Sequence, residues 1–213
     1  NSADKIKLET RPYQDEFVKK ANKEYLEFLL WAKCRAGKST MVTRHVIDRG
    51  FKLTLIASRR KSPFSSWKKD PSKYEGFENI RTVEIGELGW KEKLTSYMKQ
   101  EGVQVMLWGT IQKLKNLQDK LKELYTPDLL VFDECHVGSK GKQWKELRSL
   151  FSDTPCMKIS GTAQEQIWEY GDEMVYAYSY WDEQLDNEKG IFNPLRPKMR
   201  VYTVNYMTEE YRK

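Results

Sequence analysis

The sequence predicts an α/β domain with a mostly parallel central sheet and helices on both faces. Three observations carry that expectation. Apolar runs of strand length alternate with helical patterns along the chain, as in βα units. A Gly-Lys-Ser turn joins the first such run to the first helical pattern. At 213 residues the chain is long enough for one sizeable core and short for two.

In order, Tyr25 to Ala32 reads as a buried strand, and Ser39 to Arg49 as a helix stopped by Gly50. Phe51 to Ala57, Ile80 to Ile85 and Val103 to Trp108 are three more apolar strands, with helical patterns at Trp90 to Gln100 and Ile111 to Tyr125. Leu129 to Phe132 is a strand delivering Asp133 and Glu134 at its carboxyl end. A helix near Gln143 to Phe151 and a strand at Met157 to Ser160 follow. Ser62 to Gly76, rich in Pro, Ser and Lys, reads as a loop or short helix without chemistry. Tyr176 to Tyr180 alternates aromatic and small residues, and Trp181 to Asn187 suits a helix stopped at Gly190. Asn193 to Pro197 reads as a turn and Met199 to Val204 as a last strand.

Composition narrows the function classes. The net charge of +6 favours a polyanionic partner such as nucleic acid. Cys34, Cys135 and Cys156 form no C-x-x-C pair, and His45 and His136 are the only histidines, which argues against a zinc site or a disulfide framework. No apolar run approaches the roughly 18 residues of a membrane span, and the amino terminus has no apolar signal region. The expectation is a soluble, cytoplasmic protein. Most of the seven tryptophans sit at strand or amphipathic positions suited to core packing.

Two segments carry chemistry. Ala32-Lys33-Cys34-Arg35-Ala36-Gly37-Lys38-Ser39-Thr40 ends as a phosphate loop ends. Backbone N–H groups from Arg35 to Thr40 can close around phosphate, Lys38 supplies a cation for the β and γ oxygens, and Ser39 offers a hydroxyl to Mg²⁺. Ala32 stands where the pattern has its first glycine, a change that costs little if φ stays negative. The second segment is Leu129 to His136, whose adjacent carboxylates divide the work. Asp133 can hold Mg²⁺, and Glu134 can activate the water that attacks the γ-phosphate. ATP or GTP with Mg²⁺ is the cofactor these residues suit.

With Asp133-Glu134-Cys135-His136 in place, the chain resembles the first RecA-like domain of superfamily 2 helicases of the DExH type, over about Arg11 to Val204. Arg11-Pro12-Tyr13-Gln14 is similar to the family's upstream glutamine motif, which implies that Arg11 and Gln14 lie at the nucleotide and that Gln14 reads adenine, favouring ATP. Ser58-Arg59-Arg60 lies where motif Ia follows the second strand, and Gly109-Thr110-Ile111-Gln112 resembles the stretch that touches the nucleic-acid backbone. Ser160-Gly161-Thr162-Ala163 resembles motif III, which implies that Ser160 and Thr162, with His136, couple hydrolysis to strand movement. Tyr178-Ser179-Tyr180 with Gly190 resembles the segment before the interdomain linker in restriction-enzyme motor subunits and phage helicases.

The resemblance implies an extension at residues 1–10, a RecA-like domain at 11–204, and at 205–213 the start of a linker to a second RecA-like domain that supplies an arginine finger. It implies an ATP-dependent helicase or translocase, inefficient without that second domain, with DNA favoured over RNA, acting in bacterial cytoplasm or, for a phage protein, in that of the host. Two alternatives stay open: a motor of a restriction or remodelling complex that moves on duplex DNA without unwinding it, and a non-catalytic nucleic-acid-binding scaffold of the same fold.

Overall fold

Each of the six apolar runs between Tyr25 and Ser160 forms a strand in the computed structural model, which describes residues 5–59, 61, 64–117, 125–133, 142–162 and 167–191. The order is α1 (Pro12–Ala21), β1 (Glu27–Ala32), α2 (Lys38–Arg49), β2 (Leu53–Ser58), α3 (Phe64–Lys73), β3 (Ile80–Glu84), α4 (Trp90–Met98), β4 (Gln104–Thr110) and α5 (Ile111–Asn116). Then come β5 (Leu129–Asp133), α6 (Lys142–Leu150), β6 (Cys156–Ser160), β7 (Val175–Tyr178) and α7 (Tyr180–Glu188). The expected strand at Met199 to Val204, the turn at Asn193 to Pro197 and the far end of the Ile111 to Tyr125 helix lie outside the described residues.

The seven strands form one parallel sheet in the order β3-β4-β2-β5-β6-β1-β7. Strand residues alternate faces. Leu29, Leu53, Leu55, Val105, Leu107, Leu130 and Phe132 share a core cluster with Leu94 of α4, Leu114 of α5, and Trp144 and Leu147 of α6. The opposite set meets the other helices: Phe28 packs edge-on to Phe17 of α1, Trp108 stacks on Phe64 of α3, and Thr43 of α2 reaches the Met106 sulfur. Helices thus cover both faces, and both sets of strand side chains are buried, which is why these strands read as continuous apolar runs.

Two elements were not expected from pattern. α1 starts at Pro12, which is suited to a first helical position, and the Arg11 N–H donates to the Gln14 side-chain oxygen at 3.1 Å. Its buried stripe, Tyr13, Phe17, Val18 and Ala21, has helical spacing. β7 is a four-residue edge strand paired with β1. Of the loop or short helix expected within Ser62 to Gly76, the helix forms: α3, ten residues long, with Pro71 inside it. Pro71 has no N–H to give the Trp67 carbonyl, so the helix lacks one bond of its ladder there. Helix α3 is anchored from the amino-terminal extension, where Ile6 N–H donates to Lys73 O at 2.9 Å and Ile6 O accepts from Glu75 N–H at 3.0 Å.

At the amino end of the sheet, Glu27 receives Arg148 of α6 at 2.9 Å and Lys158 of β6 at 3.0 Å. Burial opposes charge on Glu27, and hydrogen bonds from Arg148 and Lys158 outweigh it, so its carboxyl is held below the ordinary range. Cys34 and Cys156 are free thiols. Among the described residues no helix is long and apolar enough to cross a membrane, and no group of three His, Cys, Asp or Glu side chains is placed to hold a metal. Two compact units are distinguished, Asn1–Tyr178 and Ser179–Lys213. In the second, α7 opens with a capping box in which Ser179 and Asp182 exchange hydrogen bonds, and Trp181 is 76 % exposed, unlike the buried Trp67, Trp108 and Trp144.

Candidate nucleotide site

The site lies along the carboxyl edge of the sheet. Register sets the row: Thr110 of β4 pairs with Ser58 of β2, and Ser58 with Asp133 of β5. Asp133 pairs with Ile159, Ser160 of β6 with Trp31, and Ala32 of β1 with Tyr178 of β7. After β1 the chain returns to the sheet beyond β6 and β5, so the loop from Ala32 to Gly37 opens where strand order reverses. Ligands of open α/β sheets bind in that crevice.

Local sequence builds the loop. Ala32, the last residue of β1, is fully buried and does not have positive φ, so its methyl group is accommodated. Arg35 is exposed at φ 64° and Gly37 turns the chain at φ 79° into α2. The positive φ calls for glycine, and a Cβ there, 2.9 Å from Gln14 Nε2, would also displace the Gln14 amide. No side chain caps α2 and no acid sits in its first turn, which leaves the amino-terminal N–H groups of a twelve-residue helix available to an anion. Lys38 Nζ meanwhile donates to the carbonyls of Ala32 at 2.9 Å and Lys33 at 3.2 Å.

The loop is held from outside by two tyrosines. Tyr13 Oη donates to Ala36 O at 2.9 Å, Gln14 Nε2 donates to the same oxygen at 3.3 Å, and Lys33 N–H donates to Tyr178 O at 3.0 Å. The rings of Tyr13 and Tyr178 stack with centroids 3.8 Å apart. Arg11 is half-buried beside them and its guanidinium donates to Tyr13 Oη at 3.1 Å. Ala36 is buried.

Asp133 is buried, and its Oδ2 accepts from Trp67 Nε1 of α3 at 2.8 Å. One helical turn on, Asp70 Oδ2 accepts from Ser39 Oγ at 2.6 Å and from Thr40 Oγ1 at 2.9 Å. Trp67 and Asp70 are the residues that reading of the sequence missed. Their only signal is the apolar spacing of Phe64 and Trp67 with a carboxylate one turn later. The oxygen-only set of Ser39, Thr40, Asp70 and Asp133 has the donor chemistry of a hard cation such as Mg²⁺, which takes few protein ligands and keeps its waters and phosphates. Glu134 and His136 lie outside the described residues.

Ser160 is buried and its Oγ accepts from the N–H of the exposed Thr162 at 3.0 Å. Gly161 between them sits against the loop: a Cβ there would be 3.6 Å from Cys34 Sγ and 3.9 Å from Lys38 Nζ, and its carbonyl accepts from Trp31 Nε1. Of the residues expected at nucleic acid, Arg59 and Gln112 are exposed, Ser58 and Gly109 are buried, and Thr110 caps α5 by accepting from Lys113 N–H. Arg60 lies outside the described residues.

Residues 7–165 match the family described as type III restriction enzyme, res subunit. No curated protein matches the chain. Among solved structures, the SWI2/SNF2 ATPase core of Sulfolobus solfataricus in complex with dsDNA shares 17 % identity at a TM-score of 0.58, over 89 % of this chain and 44 % of that one. The UvsW helicase of bacteriophage T4 shares 16 % at 0.57, over 80 % and 60 %. A nuclease-deletion mutant of the Type ISP restriction-modification enzyme LlaGI, in complex with a DNA substrate mimic, shares 14 % at 0.56, over 86 % and 21 %. The chain thus spans less than two thirds of each of these structures, and they share its fold. By the match over most of its length, the chain belongs to the family described as type III restriction enzyme, res subunit.

Proposed function

We propose that this domain binds ATP with Mg²⁺ and hydrolyses it as the amino-terminal half of a nucleic-acid motor, with DNA favoured over RNA. The observation that carries the reading is that the loop leading into the uncapped α2 terminus, with Lys38 and Ser39, leaves β1 at the same sheet edge where β5 ends in Asp133. The Ala32 and Lys33 carbonyls hold the Lys38 ammonium in place until phosphate oxygens take it over. Gln14 sits at the adenine end and, through Ala36 O, is tied to the loop that cradles phosphate. Bound Mg²⁺ neutralises phosphate charge; Ser39 and Asp133 hold it, and Glu134 orients and deprotonates the attacking water. Ser160, Thr162 and His136 pass the state of the site to a track formed by Arg59, Arg60, Thr110 and Gln112, whereas Ser58 and Gly109, also expected there, are buried beneath it. A second RecA-like domain supplies the arginine finger, so this domain alone turns ATP over slowly.

The test is nucleic-acid-stimulated ATP hydrolysis in a version carrying both domains. Lys38→Ala is expected to lose nucleotide binding. Glu134→Gln is expected to keep binding and lose hydrolysis by ~10²-fold or more, the range of a general base. Parent-like hydrolysis by both variants defeats the enzyme reading. The match to a restriction res subunit and the likeness to a motor core solved with dsDNA favour, as a second reading, movement along duplex DNA without strand separation. Displacement of a third strand from a triplex, without unwinding of a forked duplex, distinguishes it from a helicase.

A further inference from the structure

We infer that α3 supplies the outer shell of the metal site, with Asp70 as the positioning residue that presents Ser39 to Mg²⁺ and Trp67 doing the same for Asp133. This rests on the nucleotide reading above. A carboxylate only accepts, so the Ser39 proton is committed to Asp70 Oδ2 at 2.6 Å, the short separation of a charge-assisted bond. With its proton so committed, the hydroxyl oxygen has only lone pairs left to offer, which is the state a hard cation requires. Thr40 donates to the same Asp70 oxygen at 2.9 Å and so helps to fix its position. On the neighbouring turn the Trp67 N–H donates to Asp133 Oδ2 and so orients the carboxylate that, with Ser39, would hold the metal. Outer partners of this kind orient ligands and raise their basicity.

Helix α3 has anchors other than Asp70. Trp67 is buried, Phe64 stacks on Trp108 at 4.5 Å, and the strand-like contact of Ile6 holds the far end. Removing the Asp70 carboxylate is therefore expected to change metal affinity and leave the fold intact.

The experiment measures binding of a non-hydrolysable ATP analogue to the 213-residue chain, with Mg²⁺ and with EDTA. Asp70→Ala is expected to weaken binding with Mg²⁺ by ~10–100-fold, the usual cost of losing an outer-shell partner, and to leave metal-free binding unchanged. Asp70→Asn, which keeps an acceptor and loses the charge, falls between and carries the comparison if the alanine variant folds poorly. In a Ser39→Ala background Asp70→Ala adds less than ~2-fold, because the two act through one ligand. Equal loss with and without metal, no loss, tighter binding with Mg²⁺, or full additivity with Ser39→Ala overturns the assignment. A parent chain that binds the analogue under neither condition overturns the nucleotide reading with it, whereas a parent that needs Mg²⁺ beside an unaffected Asp70→Ala overturns this inference alone.

Discussion

His45 lies fully buried on α2, its Nδ1 2.8 Å from Asn22 Oδ1 and its Nε2 2.9 Å from Tyr25 Oη. An amide oxygen only accepts, so Nδ1 carries the proton and Nε2 accepts from the tyrosine. Burial, with Arg49 nearby, lowers the His45 pKa from 6.5 to about 4. Because the folded value is depressed, the unfolded chain binds the proton first, and stability falls as pH drops from 6.5 toward about 4. The shift corresponds to ~3 kcal/mol at full effect. Melting temperatures measured across this range are expected to fall more steeply for the parent than for His45→Gln; parallel curves contradict the account. Such a triad is invisible in the sequence, since Asn22, Tyr25 and His45 meet only after α2 packs beside the chain entering β1. Lys38, Ser39 and Asp133 are legible because a phosphate loop requires those residue types at fixed spacing, whereas Trp67 and Asp70 gain their roles only when α3 docks over the sheet edge.

Strands were the most legible elements. β2 and β5, and β1, β4 and β6 apart from one or two half-buried positions each, are buried on both faces and read as bounded apolar runs, whereas the edge strand β3 leaves Arg81, Thr82 and Glu84 half-buried; the ends of all six fall within two residues of those read from pattern. β7 has an exposed Ala177 and pairs on one side only, and its four residues give too little alternation to register. Pro71 kept a loop open beside the short helix at α3, and the stop of α1 on a polar stretch gave no breaker to read. Gly109, singled out for nucleic acid, has an element-scale role in packing β4 against α5. A Cβ there would lie 3.1 Å from Ile85 Cδ1 and 3.2 Å from Leu114 Cγ. Gly109→Ala is expected to cost ~1–3 kcal/mol through overpacking, seen as a lower denaturation midpoint with unchanged nucleotide affinity. A midpoint equal to the parent's sinks this packing role.

At the scale of the molecule, the strand order β3-β4-β2-β5-β6-β1-β7 is absent from any local pattern. What the sequence made legible was the pair of motifs, Gly37-Lys38-Ser39 and Asp133-Glu134, whose shared chemistry requires β1 and β5 to end on one edge; the structure meets that requirement with β6 between them. The two faces divide the labour. One is a continuous apolar core under α4, α5 and α6, and the other, under α1, α2 and α3, carries the polar contacts of the site.

The two tyrosines that brace the phosphate loop come from opposite ends of the first unit, Tyr13 before the sheet begins and Tyr178 on its last strand. In vectorial synthesis the loop therefore leaves the ribosome long before its brace exists. Nucleotide capture is expected to switch on only after Tyr178 has emerged, although Lys38 and Asp133 are already present. Ribosome-bound chains in which Met174 is clear of the exit tunnel and Tyr178 is not should fail to retain a labelled ATP analogue, and chains with Tyr178 also clear should retain it. Retention by the shorter chains contradicts the timing.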